Sequence, residues 1–233
     1  MPDIPYRSAL IIGAGPGISA SLARGLRKAG LTVALAARKV EKLAALVKET
    51  GAIPFAADAS DPVAVEALFQ AVEKEIGAPE VVIYNASARL PGALAELDPE
   101  AVRQAMNITA FGGFLAVQQA ARRMEPKGYG AILLTGATAS VKGFAGSAAF
   151  AMGKFALRGL AQSAARELGP KGIHVAHIVI DGGVRSERRP EPPDRPDSLL
   201  CPDGVAQTYL DLLRQPRSAW SLEVELRPWV ERF

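Results

Sequence analysis

The sequence is poor in metal-ligating and redox side chains, with 1 cysteine and 2 histidines among 233 residues. The lone Cys201 excludes an internal disulfide, and so few Cys and His make a zinc site implausible. His174 and His177 stand three apart in a strand-like run, so they point to opposite faces and share no metal. No apolar run approaches the roughly 18 residues that span a bilayer. The start, MPDIPYRSAL, lacks the apolar core of a signal peptide. A cytoplasmic protein without a membrane partner is expected. Charge of one sign is also scarce: Lys and Arg number 27 against 24 Asp and Glu, a net +3. The densest basic cluster, Arg185, Arg188, Arg189 and Arg195, alternates with Glu187, Glu191, Asp194 and Asp197, which reads as cancellation. Nucleic-acid binders carry a one-sided basic stripe, so no nucleic-acid partner is expected.

What is present is an ordinary globular composition, 49% hydrophobic and 22% charged. A chain of this length buries roughly 70–75% of its unfolded surface, and one α/β domain over residues 1–233 accommodates it. Strand-like runs alternate with helix-period segments, the form of repeated βαβ units around a parallel sheet. Strands are expected at Ser8–Ile12, Thr32–Ala37, Ile53–Ala57, Val81–Tyr84, Ala131–Thr135, Ile173–Ile180 and Trp220–Leu226. Pro54 demotes the third to an edge, which is its place in the doubly wound order 3-2-1-4-5-6. Asp61-Pro62 and Asp98-Pro99 are helix starts, the second opening one long helix to about Met124. Further helices are expected at Ala148–Leu168 and Pro202–Leu213. The aperiodic Arg185–Leu200, carrying four prolines, reads as a mobile substrate loop. The expected fold is a seven-stranded, mainly parallel, doubly wound Rossmann sheet with helices on both faces.

The turn after the first strand reads Ile12-Gly-Ala-Gly-Pro-Gly-Ile-Ser19. Glycines there let backbone approach a pyrophosphate at a helix N-terminus, where free N–H groups favour anions. Gly13-x-x-x-Gly17-x-Ser19 resembles the GxxxGxG turn of short-chain dehydrogenases/reductases, with Ser19 for the third glycine. Tyr84-Asn85-Ala86-Ser87 sits where that family has NNAG, Asp58 where it has an aspartate beside adenine, and Asn107 at its mid-helix asparagine. Phe150-Ala-Met-Gly-Lys154 falls on its YxxxK, so the resemblance runs from about Ser8 to Val184. It implies cofactor contacts at Gly13, Gly15, Gly17 and Ile18, at Asp58 and Ala59, at Asn85 and Ala86, and at Lys154 and Gly182. At the end of the second strand an acid selects NAD, whereas a nearby Arg accommodates the 2′-phosphate of NADP. Ala37 takes the acid position and Arg38 follows it. NADP(H) is therefore expected over NAD(H), the alternative being that Arg38, Lys39 and Lys42 form a solvated helix start.

At the reaction end the resemblance breaks. The family uses a tyrosine as acid or base, a lysine four residues later, and a serine about 13 residues before the tyrosine. Lys154 is present, but the tyrosine position is Phe150 and the serine position Ala137. Asn107 would serve a proton relay. Thr138 is either a turn hydroxyl or a substrate ligand. Ser147 lies seven residues before Lys154, where the enoyl-reductase branch carries its tyrosine. Phenylalanine has no proton to give, and general acid–base catalysis is worth about 10²–10⁴ in rate. The reaction implied is hydride transfer to or from a small carbonyl or activated C=C substrate; a catalytically silent NADP(H)-binding sensor or scaffold is the rival. Ala110, Gly112 and Gly113 on one long helix and Ala156, Gly159 and Ala164 on another read as a second apolar face. With the resemblance, they imply a homodimer or homotetramer.

Overall fold

A computed structural model describes residues 3–231. Seven parallel strands form one sheet: β1 (Ser8–Ile12), β2 (Thr32–Ala37), β3 (Ile53–Ala56), β4 (Val81–Tyr84), β5 (Gly130–Thr135), β6 (Ile173–Ile180) and β7 (Glu223–Leu226). Their order is β3-β2-β1-β4-β5-β6-β7, and every pair is parallel, so the sheet is wholly and not mainly parallel. Because side chains alternate along a strand, one apolar run feeds two cores. Ile11, Leu35, Ile83 and Leu133 pack with α1 (Ile18–Lys28), α2 (Ala44–Thr50) and α7 (Pro202–Leu213) on one face. Their neighbours Leu10, Ala34, Val82 and Leu134 pack with α3 (Pro62–Ile76), α5 (Gly112–Met124) and α6 (Ala148–Leu168) on the other. Burial on both faces is why these strands read as continuous hydrophobic runs.

Pro54 has no N–H to donate, and β3 is the sheet edge, bonded to β2 alone. Asp61 accepts from the Val63 amide at 2.9 Å and Asp98 from the Ala101 amide at 3.0 Å, capping α3 and α4 (Pro99–Met106). The expected single helix from Pro99 to Met124 is interrupted by a π-type turn at Asn107–Phe111. Such a turn inserts a residue and rotates the helix beyond it, here turning Gly112 and Gly113 onto β4. A Cβ on Gly112 would lie 2.4 Å from the Ala59 carbonyl oxygen, and one on Gly113 2.4 Å from Leu157. These two glycines, with buried Ala164, therefore belong to the interior and not to an exposed second face.

The last strand begins at Glu223 and not at Trp220. Trp220 instead stacks on His174, ring centroids 4.8 Å apart, and the register with β6 starts where His177 pairs with Glu223. Arg185–Leu200 lacks periodicity but has a tied base. The Arg185 amide donates to the Leu200 carbonyl at 2.9 Å, and Ser186 and Arg189 exchange amide bonds at 3.0 Å. Among the described residues no helix is long and apolar enough to cross a membrane.

Candidate nucleotide and substrate cleft

The strand order reverses between β1 and β4, and open α/β sheets bind ligands outside the strand ends at such a point. Two adjoining cavities lie there, of about 670 and 430 Å³. Asn85 and Ser87 line both, so they form one cleft.

The larger cavity is floored by the turn after β1. Gly13 has φ 87°, and a Cβ on it would stand 2.4 Å from the Ala86 amide nitrogen, so the turn is pressed against the end of β4. Its other side is open: nothing lies within 4 Å of a Cβ built on Gly15 or Gly17. No side chain caps α1 at Gly17, which leaves its first N–H groups for an anion. Ser19 does not cap them; its Oγ donates to the Gly13 carbonyl at 3.2 Å and accepts from Asn85 Nδ2 at 2.7 Å. This clasp ties the turn to β4. Ala37, Arg38, Lys39 and Lys42 line the far wall, with Asp58 and Ala59 beside them. Asp58 accepts from Ser60 Oγ at 2.7 Å and from the Ser60 amide at 2.9 Å, which together with Arg38 holds its carboxyl below the usual range.

The smaller cavity brings together Ile18, Ala137, Phe150, Lys154 and Gly182. Lys154 is 2% exposed, and its Nζ donates to the Thr135 carbonyl at 2.6 Å. Burial, and secondarily the charge of Arg89, lower its pKa from 10.5 to about 7. Phe150 lies one helical turn before it, with the ammonium 5.8 Å from the ring centroid. Arg89 covers the same ring, its guanidinium carbon 4.8 Å from the centroid.

Three of the expected site residues stand elsewhere. Asn107 is exposed and opens the π-type turn, outside both cavities. Thr138 and Ser147 also fall outside both linings; Thr138 belongs to a short 3-10 turn and Ser147 precedes α6. Tyr84 is fully buried and donates to the Ile108 carbonyl, and burial with Asp58 nearby raises its pKa. It packs and does not act as an acid.

Sequence reasoning missed Arg89, Arg188 and Arg189, which line the smaller cavity. The expected cancellation of the loop arginines does not occur there. Glu191 turns back to accept from the Ser198 and Leu199 amides at 2.9 and 3.2 Å and pairs with Arg185 at 3.7 Å. The available signal was the position of Arg89, four residues beyond Asn85 at the strand end.

Residues 7–193 match the short chain dehydrogenase family. The chain is 30% identical over 190 residues to the 3-oxoacyl-[acyl-carrier-protein] reductase MabA of Mycobacterium avium, covering 80% of this chain and 70% of that protein. Its fold is similar to a short-chain dehydrogenase from Rhodopseudomonas palustris, with TM-score 0.82, 38% identity, and 96% and 99% of the two chains covered. It is also similar to an alcohol dehydrogenase from the archaeon Thermococcus sibiricus complexed with 5-hydroxy-NADP, with TM-score 0.86, 25% identity, and 97% and 98% covered.

Proposed function

The chain belongs to the short-chain dehydrogenase/reductase family and is an oxidoreductase of its NAD(P)-dependent type; from that premise we propose an NADP(H)-dependent hydride transfer to or from a small carbonyl or activated C=C substrate. The observation that carries this reading is the unbroken cleft from Arg38 to Lys154, joined at Asn85 and Ser87. The turn fits the cofactor's pyrophosphate: Gly13 leaves no room for a side chain on one side, and Gly15 and Gly17 leave open space on the other. The bound nucleotide supplies or accepts the hydride. Arg38, with neutral Ala37 before it, pairs with a 2′-phosphate that an acid would repel. Lys154, whose Nζ is held by the Thr135 carbonyl, would hold the nicotinamide ribose.

In this reading Phe150 and Ala137 take the family's tyrosine and serine positions, and both line the cavity that holds Lys154. Neither donates a proton or a hydrogen bond from its side chain. A conjugated double bond tolerates this, because the enolate left after reduction takes its proton from water. Lys154, held near neutrality, is the group lining this cavity best poised to exchange a proton near pH 7. A panel of ketones, aldehydes and enals tests the reading by steady NADPH consumption. The second reading, an NADP(H)-binding sensor or scaffold without turnover, is favoured by the lack of any phenol or carboxyl group in that lining among the described residues. Tight NADPH binding with no consumption across the panel would select it.

A further inference from the structure

We propose that the reaction end of the cleft receives a substrate bearing its own anionic group, a carboxylate or a phosphate, held by Arg89, Arg188 and Arg189. This rests on the function proposed above for the same site. Among the described residues, the cavity of about 430 Å³ is lined by these three arginines and Lys154 and by no aspartate or glutamate. For a chain of net charge +3, that is a local concentration of one sign.

The arginines arrive from two separate parts of the fold, Arg89 after β4 and the other two from the loop after β6. Among the described residues none of the three has an acidic partner, whereas their neighbour Arg185 pairs with Glu191. Of the loop acids, Glu191 is committed to the Ser198 and Leu199 amides, and Glu187, Asp194 and Asp197 do not line the cavity. The paired amide bonds of Ser186 and Arg189 fix the turn that presents Arg188 and Arg189. Arg89 lies over the Phe150 ring, directed into the cavity.

A guanidinium stays charged throughout the accessible pH range and grips carboxylate or phosphate oxygens with a planar fork. Several such groups around one cavity without a counter-ion repel one another, and an anionic ligand relieves that repulsion. The nucleotide's pyrophosphate is a poor candidate for this anion. The glycine-rich turn that receives it lines the larger cavity, and none of the three arginines does.

The test uses the full chain saturated with NADPH, whose fluorescence is followed during titration with trans-cinnamate, phenyl phosphate or neutral cinnamamide. The expected result is that at least one of the two anions binds tenfold or more tightly than cinnamamide, the better one identifying the group. That preference should fall below threefold in Arg89→Ala and in Arg188→Ala/Arg189→Ala, while NADPH affinity stays within threefold. Raised salt should weaken the anion and spare the amide. Equal binding of anions and amide by the unmutated protein overturns the inference, as does a preference that survives both variants. Loss of NADPH affinity in the variants also overturns it, by assigning the arginines to the nucleotide. If the unmutated protein binds no NADPH, the function proposed above fails instead. The same titration on the apoprotein, read by thermal shift, then still decides the anion preference.

Discussion

Phe150 and Lys154 sit one turn apart on α6, and both line the smaller cavity. Phe150 has no acidic proton, so the protein should reduce simple ketones and aldehydes poorly. Phe150→Tyr with Ala137→Ser should raise carbonyl reduction tenfold or more, given about 10²–10⁴ for a general acid and 10²–10³ for an oxyanion donor. The two changes serve one oxygen, so their effects should not multiply. Steady-state rates of the single and double variants check this, and a double variant that binds NADPH but gains nothing contradicts it. Arg38 carries the second expectation. NADPH should bind more tightly than NADH, and Arg38→Ala should remove most of that difference in a fluorescence titration. Lys154 carries the third. Its native pKa of about 7 lies below the 10.5 of the unfolded chain, so between those values the unfolded state holds the extra proton. Stability of the apoprotein should therefore rise with pH across that window and be lost again as pH falls towards 7. At about 1.36 kcal/mol per pKa unit, the gain over Lys154→Met should be on the order of 5 kcal/mol. Urea unfolding of both proteins at several pH values measures it, and parallel curves would refute it.

Among the elements, the loop Arg185–Leu200 and the π-type turn depart most from their sequence pattern. The loop is tied at its base, and its Arg188 and Arg189 line the smaller cavity. As a substrate lid it should be cut by trypsin in the apoprotein after Arg185 or Arg188, the loop arginines not followed by proline. NADPH should slow that cleavage, and an unchanged rate would leave the segment a linker. The π-type turn has no signature in its residues Asn107–Phe111. It is selected by the two glycines after it, which must meet Tyr84 and Leu157 with no Cβ between. Four strands and both caps, by contrast, were legible to the residue, while the expected bounds of β3 and β5 were off by one residue and the start of β7 by three. The β1, β2, β4 and β6 runs are apolar on both faces, and Asp61-Pro62 and Asp98-Pro99 each pair a capping carboxylate with a proline suited to the first helical position.

For the whole molecule, the exposed apolar side chains have a place. Phe111, Phe114, Met152 and Phe155 are 41–52% exposed and lie on the π-type turn, α5 and α6. Large exposed apolar patches mark interfaces, so sedimentation at micromolar concentration should give a dimer or tetramer, and a monomer would contradict this. The sequence by itself determined the strand order, because Pro54 names its own edge and the parallel β-α rhythm leaves few ways to wind the sheet. It also determined the nucleotide turn, a local structure whose glycines and helix start lie within seven residues, Gly13–Ser19. The tertiary structure alone brought Arg89 and Arg189 to the reaction end. They share one cavity with Ala137 and Phe150 though they come from separate places in the chain, and no local pattern encodes that meeting. It also decided the charge there. Along the chain the loop's arginines and acids alternate and cancel, but in the fold Glu191 turns to the Ser198 and Leu199 amides and to Arg185, and Arg188 and Arg189 are left lining the cleft.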